Sequence, residues 1–407
     1  MIIKNNRIVS EFVKNVIFSL LSSVLPIAVL QLLIFPGIAS IVDSAENGRI
    51  LSMIALLTLI SEPLGFAINN ARLLVNLDYE AIGDTGDFNY LIAICVPVNL
   101  LIIVAGTMLY IQDYDFLTVL MMAISSTIIL IHKYYMVYFR LQLDYARIFI
   151  SNMILCIGYW IGLLLFEMSF SWLLIYVIGG LASLIYTLYK NPLIKERFGK
   201  TRLLENTLGK MRALLFVEIS NSIIRYADRL LLYPLLGGTA VSIYYSATVI
   251  SKIISLSISP ISTVILSYFS RMNELGKRHF LMMVCITAFM GIVGYMICVF
   301  MAHPVLICLY PNWADESFYL VFITTATCVV DAINSVIRPA VLKFRCTKWQ
   351  YWIGSSNAAF YIILSIVFFH FGGLEGFCFG LLANALVQFI FRFWIFMRSD
   401  DNAVPFA

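Results

Sequence analysis

Charge is scarce in this sequence. Only 12% of its 407 residues are Asp, Glu, Lys or Arg, about half the share of an ordinary soluble domain. That scarcity argues against a soluble enzyme and against a nucleic-acid-binding surface. A mean hydropathy of +0.92 points instead to repeated membrane crossing. The eight cysteines form no C-x-x-C pair, and neither they nor the four histidines fall at metal-ligand spacing. No metal site is expected, and the thiols read as buried packing residues. G-x-x-x-x-G-K-[ST] is absent, so no P-loop hydrolyses ATP in this chain, and no cofactor is expected. No A-x-A site closes the first apolar run, Val16 to Phe35, which therefore reads as an uncleaved first helix.

Long apolar runs are what the sequence has in abundance. A bilayer core takes about 20 apolar residues per helix. By that measure twelve spans are predicted, near 13–35, 49–70, 88–111, 115–139, 146–167, 171–190, 211–233, 239–269, 279–302, 317–341, 348–370 and 375–397. With the N-terminus inside, the inner segments collect Lys4, Arg7, Lys14, Arg72, Arg140, Arg147, the Lys190–Arg212 cluster, Arg271, Lys277, Arg278, Lys343, Arg345, Lys348 and Arg398. The outer loops keep Arg49 as their only base and are mildly acidic, with Asp43, Glu46, Asp113, Asp115, Glu167, Asp315, Glu316 and Glu375. The pattern is positive-inside, and it needs an even number of spans with both termini cytoplasmic.

Internal repetition divides the spans. Gln31-Leu-Leu-Ile-Phe-Pro36 matches Arg229-Leu-Leu-Leu-Tyr-Pro234 at an offset of 198 residues, with Phe18 over Phe216 and Ser22 over Ser220. The expected fold is all-α: two six-helix bundles, 1–190 and 211–407, related by a pseudo-twofold axis along the membrane normal, with a site between them. The joint is a basic cytoplasmic linker, 191–210. From Lys190 to Arg212 the sequence carries seven bases against two acids. It reads as an orientation signal resting on anionic headgroups of membrane lipids, or as a surface for a partner protein.

Several charges lie inside apolar runs, where each costs about 2.5–3.5 kcal/mol if it meets lipid near a helix centre. They should face protein or a water-filled cavity. Glu218, Arg225 and Arg229, at spacings of seven and four, share one helix face, with Asp228 three residues from Arg225. Arg225 lies about 20 Å from the inner end at 1.5 Å per residue, and Lys252 lies about as deep on the next span. From Glu218 to Lys252 bases outnumber acids by three to two, which suits an anionic ligand. Alternatively these groups neutralise one another between helices. Glu62, Asn69 and Asn70 on the second span, and Asp331, Asn334 and Arg338 on the tenth, are further cavity-lining or helix-pairing candidates. Asp228, Glu62 and Asp331 are candidate carriers of a coupling proton or Na⁺. Lys133 is expected to snorkel at the inner end of the fourth span, beside an interfacial belt of Tyr134, Tyr135 and Tyr138.

Asp228-Arg-Leu-Leu-Leu232, Leu236-Gly-Gly238 and Val241-Ser-Ile-Tyr-Tyr-Ser-Ala247 resemble the seventh and eighth spans of bacterial polysaccharide flippases, in which D-x-x-x-L precedes an L-G turn and V-x-x-Y-x-x-A. Phe35-Pro36 and Glu46-Asn-Gly-Arg49 are similar to the N-terminal repeat of that family, which belongs to the multidrug, oligosaccharidyl-lipid and polysaccharide exporters. The resemblance implies a flippase of the bacterial inner membrane that moves an undecaprenyl-diphosphate-linked oligosaccharide, an O-antigen or capsule repeat unit, outward by alternating access. Polysaccharide polymerase and chain-length proteins are implied partners. Arg225, Arg229, Lys252 and Arg338 would then hold the diphosphate headgroup, and Asp228, Glu218, Glu62 and Asp331 would pair charges or couple an ion. The competing readings are a drug antiporter or peptidoglycan-precursor flippase of the same fold, and a membrane-embedded polymerase or acyltransferase.

Overall fold

The structure is a computed structural model that describes residues 2–111, 115–189, 191–269, 275–345 and 347–398. Asp113, Lys190, Arg271 and Cys346 lie outside the described residues, as do the side chains of Lys4, Arg7, Lys343 and Lys348. The expected all-helical class is observed: among the described residues every regular element is a helix. In order these are α1 (Ile2–Val29), a π turn (Leu30–Ile34), α2 (Phe35–Ile41), α3 (Ser44–Ile82), α4 (Gly86–Tyr110), α5 (Phe116–Tyr135), α6 (Val137–Leu141), α7 (Tyr145–Glu167), α8 (Leu174–Leu188), α9 (Leu204–Phe269), α10 (Lys277–Leu309), α11 (Ala314–Phe344) and α12 (Thr347–Arg398), with short 3₁₀ turns at Pro192–Lys195 and Pro311–Trp313.

Nine of the described helical stretches are long and apolar enough to cross a membrane, and Leu174–Leu188 is a shorter apolar helix. Leu109, Phe116, Phe300 and Phe371 stay exposed on the helix surfaces. In water such a coat would be an aggregation liability; in a bilayer it is the lipid face. The chain is a multi-pass membrane protein.

By its contacts the chain forms two compact units, Met1–Leu235 and Leu236–Ala407. The boundary falls inside α9, where Gly237 adopts φ 78°, a left-handed conformation closed to most residues. In the first unit α3 is central. Ile50, Leu51, Ile54, Leu57, Ala67, Ile68 and Val75 are buried on all its sides, as befits a helix enclosed by neighbours. Asp43 caps it by accepting the Glu46 N–H at 2.8 Å, and Gly83 ends it at φ 68°. Asp115 caps α5 in the same way, through the Thr118 N–H. These outer-loop acids thus start helices. Helices α7 and α8 meet backbone to backbone: a Cβ on Gly158 would collide with Gly179, and one on Gly162 with Ile175.

In the second unit α11 packs on both α10 and α12. Its core gathers Phe280, Ile337, Val341, Phe344, Ile353 and Phe396, with Phe280 stacked on Phe396 at 3.8 Å. Helix α12 is broken at Gly372 and Gly373, the latter at φ 55°. Five of the cysteines are buried as expected, while Cys285 and Cys308 are exposed.

Candidate functional site: charges within the helices

Two prolines shape the segments that carry the charges. Pro234 has no N–H, so the Leu230 carbonyl four residues earlier loses its helical donor. The Tyr110 hydroxyl of α4 replaces it, donating to that carbonyl at 3.0 Å. In the other copy of the repeat, Pro36 follows a π turn, in which the Phe35 N–H reaches back to the Leu30 carbonyl. The same sequence element therefore accommodates its proline in two ways.

Just before Pro234, Asp228 and Arg229 are both 5% exposed. The Asp228 carboxylate accepts the Arg229 backbone N–H at 2.8 Å and lies 3.7 Å from its Nε. Arg229 also lies over the Tyr226 ring at 5.5 Å. Glu218 is drawn to another helix, accepting from the Asn70 amide of α3 at 3.3 Å. Arg225 remains exposed. It donates to the Asn221 carbonyl at 3.3 Å, sits 5.9 Å over Tyr226 and is within electrostatic reach of Glu62. Among the described residues it has no carboxylate at ion-pair distance. The face expected to hold Glu218, Arg225 and Arg229 together is thus divided three ways, because partners on α3 and on α9 itself claim the first and the last.

Glu62 has its own cation. Lys133 Nζ is 3.0 Å from its carboxylate and the Tyr226 hydroxyl donates to it at 3.4 Å. Gly65 permits this approach of α3 to α5, since a Cβ there would lie 2.7 Å from the Leu130 carbonyl oxygen and from Lys133 Cβ. In place of the snorkelling expected for Lys133, a carboxylate within reach holds its ammonium, which also lies 4.9 Å from the centre of the Phe66 ring. Arg140 of α6 donates to the side-chain oxygens of Asn69 at 2.6 Å and Asn70 at 2.8 Å, while Asn69 donates to the Lys133 carbonyl at 2.8 Å. Glu62, Lys133, Tyr226, Asn69, Asn70, Arg140 and Glu218 thus form a connected set, with Arg225 beside Glu62 and Tyr226. Lys133, Arg140 and Tyr226 were not sequence candidates for a site. A cation about 70 residues from its Glu or Asn-Asn partner leaves no local signal in the sequence.

A second cluster forms where the linker meets the bundle. Arg72, buried inside the bundle, pairs with Glu196 of the linker, donates to the Tyr134 hydroxyl at 2.7 Å and stacks 4.5 Å over Phe88. Tyr134 is fully buried and so is no part of an interfacial belt; Arg72 draws its hydroxyl inward. Asp87, also fully buried, accepts from the Tyr79 hydroxyl and from both the N–H and hydroxyl of Thr201, each at 2.6 Å. His132 is buried among the hydroxyls of Ser151 and Ser183 at 3.2 and 2.9 Å.

In the second unit Lys252 lies 4.3 Å over the Tyr245 ring. Asp331 and Arg338 are both exposed on α11. Arg392 of α12 is within electrostatic reach of both and donates to the Asn334 carbonyl at 3.4 Å. The Asn334 amide in turn donates to the Ala385 carbonyl at 3.0 Å. Arg392 was missed in the sequence, although a lone arginine inside Phe389–Met397 is a signal of the same kind as Arg225. Among the described residues no three His, Cys, Asp or Glu side chains converge as a metal site would require.

No family model matches the sequence, and no curated protein does. Solved structures do share the fold. The lipid II flippase MurJ, in an inward closed conformation, aligns over 95% of this chain and 87% of its own, with a TM-score of 0.72 and 14% identity. An inward-facing multidrug resistance MATE transporter of the MOP superfamily aligns over 93% of this chain and 94% of its own, with a TM-score of 0.60 and 14% identity. The Vibrio cholerae MATE transporter VcmN, in its bent form, covers 96% of both chains with a TM-score of 0.55 and 12% identity. At such identities the likeness is one of fold.

Proposed function

We propose that this chain is a flippase for an undecaprenyl-diphosphate-linked oligosaccharide, an O-antigen or capsule repeat unit, carried from the cytoplasmic to the periplasmic leaflet of a bacterial inner membrane. It is a transporter, not an enzyme. Splitting the broken helices α9 and α12 and adding Leu174–Leu188 brings the nine membrane-length stretches to twelve, which supports an even number of spans with both termini on one side. The observation that carries the reading is Arg225. The carboxylates around it are engaged, Glu62 by Lys133, Glu218 by Asn70 and Asp228 by Arg229, so its exposed guanidinium is available to an anion. A guanidinium binds phosphate oxygens in a planar, two-pronged geometry. Arg229, beside Arg225 on α9, is proposed to assist, and Lys252 and Arg338 are proposed anion contacts of the second unit. Glu62, Glu218, Asp228 and Asp331 set the local charge and bind the coupling proton or Na⁺.

A second reading, a peptidoglycan-precursor flippase, draws support from the TM-score of 0.72 to the lipid II flippase, above the 0.60 and 0.55 of the drug exporters. One experiment tests both. Cells lacking the chain should accumulate a lipid-linked sugar intermediate and lose surface polysaccharide while still growing. Re-expressed wild type restores the polymer, and Arg225→Ala does not. Arrest of growth with lipid-linked peptidoglycan precursor accumulating would select the second reading. Full surface polysaccharide from Arg225→Ala, Arg229→Ala and Lys252→Ala at normal protein level would sink the cationic-site idea.

A further inference from the structure

The linker after α8 is usually counted by its charge, and an orientation signal needs composition alone. This linker has a fixed shape as well. Glu196 is held by the buried Arg72, and its carbonyl accepts from the Asn89 amide at 2.8 Å. Thr201 is fixed to the buried Asp87 through both its N–H and its hydroxyl. Between these two points the Gly199 N–H donates to the Gly86 carbonyl at 3.4 Å. The segment 196–201 is therefore latched along the first turns of α4, at the level where that helix enters the membrane.

What the latch presents outward is specific in composition. Lys195, Arg197, Lys200 and Arg202 are all exposed. Glu196, the acid among them, is engaged by Arg72. Phe198, between those bases, and Ile194, just before them, are 62% and 44% exposed. Phe198 stands edge-on to Tyr90 of α4 at 5.8 Å, and Lys200 lies 4.7 Å over the same ring. Bases interleaved with an aromatic and an aliphatic side chain, at the depth of a helix end, match a bilayer interface: the charges meet phosphates while the apolar groups enter the acyl boundary.

We infer that Lys195, Arg197, Lys200 and Arg202, with Phe198 as an apolar wedge, form a binding site for anionic phospholipid headgroups of the inner leaflet, held in register by the Arg72–Glu196 and Asp87–Thr201 contacts. Depth and the two exposed apolar side chains select lipid over an acidic protein, which would meet a patch projecting beyond the helix ends. The site is independent of the cargo carried by the mid-membrane arginines.

The test uses the full-length chain in detergent, titrated with phosphatidylglycerol and phosphatidylcholine of matched acyl chains and read by native mass spectrometry. Wild type should retain phosphatidylglycerol at about tenfold lower concentration than phosphatidylcholine, a preference that weakens in salt. The K195Q/R197Q/K200Q/R202Q variant should lose that preference. Equal retention by a monodisperse quadruple variant would overturn the proposal. Should that variant fail to fold, F198W supplies a second reading. Its added emission over the six native tryptophans should be quenched more by brominated phosphatidylglycerol than by brominated phosphatidylcholine. Equal quenching, or charge-dependent binding of polyglutamate without lipid preference, would also overturn it.

Discussion

Two regions of the first unit use the same side chains to different ends. Where the linker meets the bundle Arg72 is 2% exposed and its terminal nitrogens donate to Glu196 and Tyr134, with Phe88 beneath it. On α9 Arg225 is exposed beside a carboxylate, Glu62, that belongs to Lys133. An arginine whose partners are fixed by the fold stabilises the fold. An exposed arginine whose neighbouring acids have other partners contributes less to the fold. The contrast separates a charge held by the fold from an exposed one without reference to either residue's position in the sequence.

Breaking the Arg72 cluster should have the largest effect on stability. Arg72→Ala leaves Glu196 and Tyr134 without their donor, and removing one partner of a buried pair costs about 3–5 kcal/mol. Thermal unfolding in detergent should show it, and R72A/E196A should recover part of the loss. Glu62→Gln strips Lys133 of its counter-charge. The pair is partly accessible, with side chains 16% and 28% exposed, so a smaller loss of about 1–2 kcal/mol is expected, and adding Lys133→Met should cost less than the sum of the single changes. Tyr110→Phe removes the donor to the Leu230 carbonyl and should cost about 1 kcal/mol, with hydrogen exchange rising around Pro234. Arg225→Ala should leave stability within about 0.5 kcal/mol, as for surface changes, while translocation falls by more than tenfold; a clear drop in melting temperature would place Arg225 with Arg72 and erase the contrast.

The helical class was legible because apolar run length survives without any knowledge of partners. The break at Gly237 was legible too, since Pro234 and Leu236-Gly-Gly238 mark it within a few residues. Pairing was not. A helical wheel placed Glu218, Arg225 and Arg229 on one face of α9, but Asn70 and Asp228 decide which of them is neutralised, and Asn70 lies 148 residues from Glu218. Lys133 illustrates the same limit: local rules send a lysine near a helix end to the interface, and a carboxylate 71 residues earlier holds it inside. The seven bases from Lys190 to Arg212 were plain in the sequence, while the buried Asp87 that holds Thr201 sits in a run that reads only as the start of a span.

The glycine contact of α7 with α8 has a mechanical consequence. With Gly158 seated on Gly179 and Gly162 on Ile175, neither helix can slide along the other without its backbone climbing over a side chain. The pair acts as one stiff beam. Any stroke of the first unit must therefore be taken up at softer joints, of which the π turn before Pro36 is one, and spin labels placed on α7 and α8 should keep their separation while the joints turn.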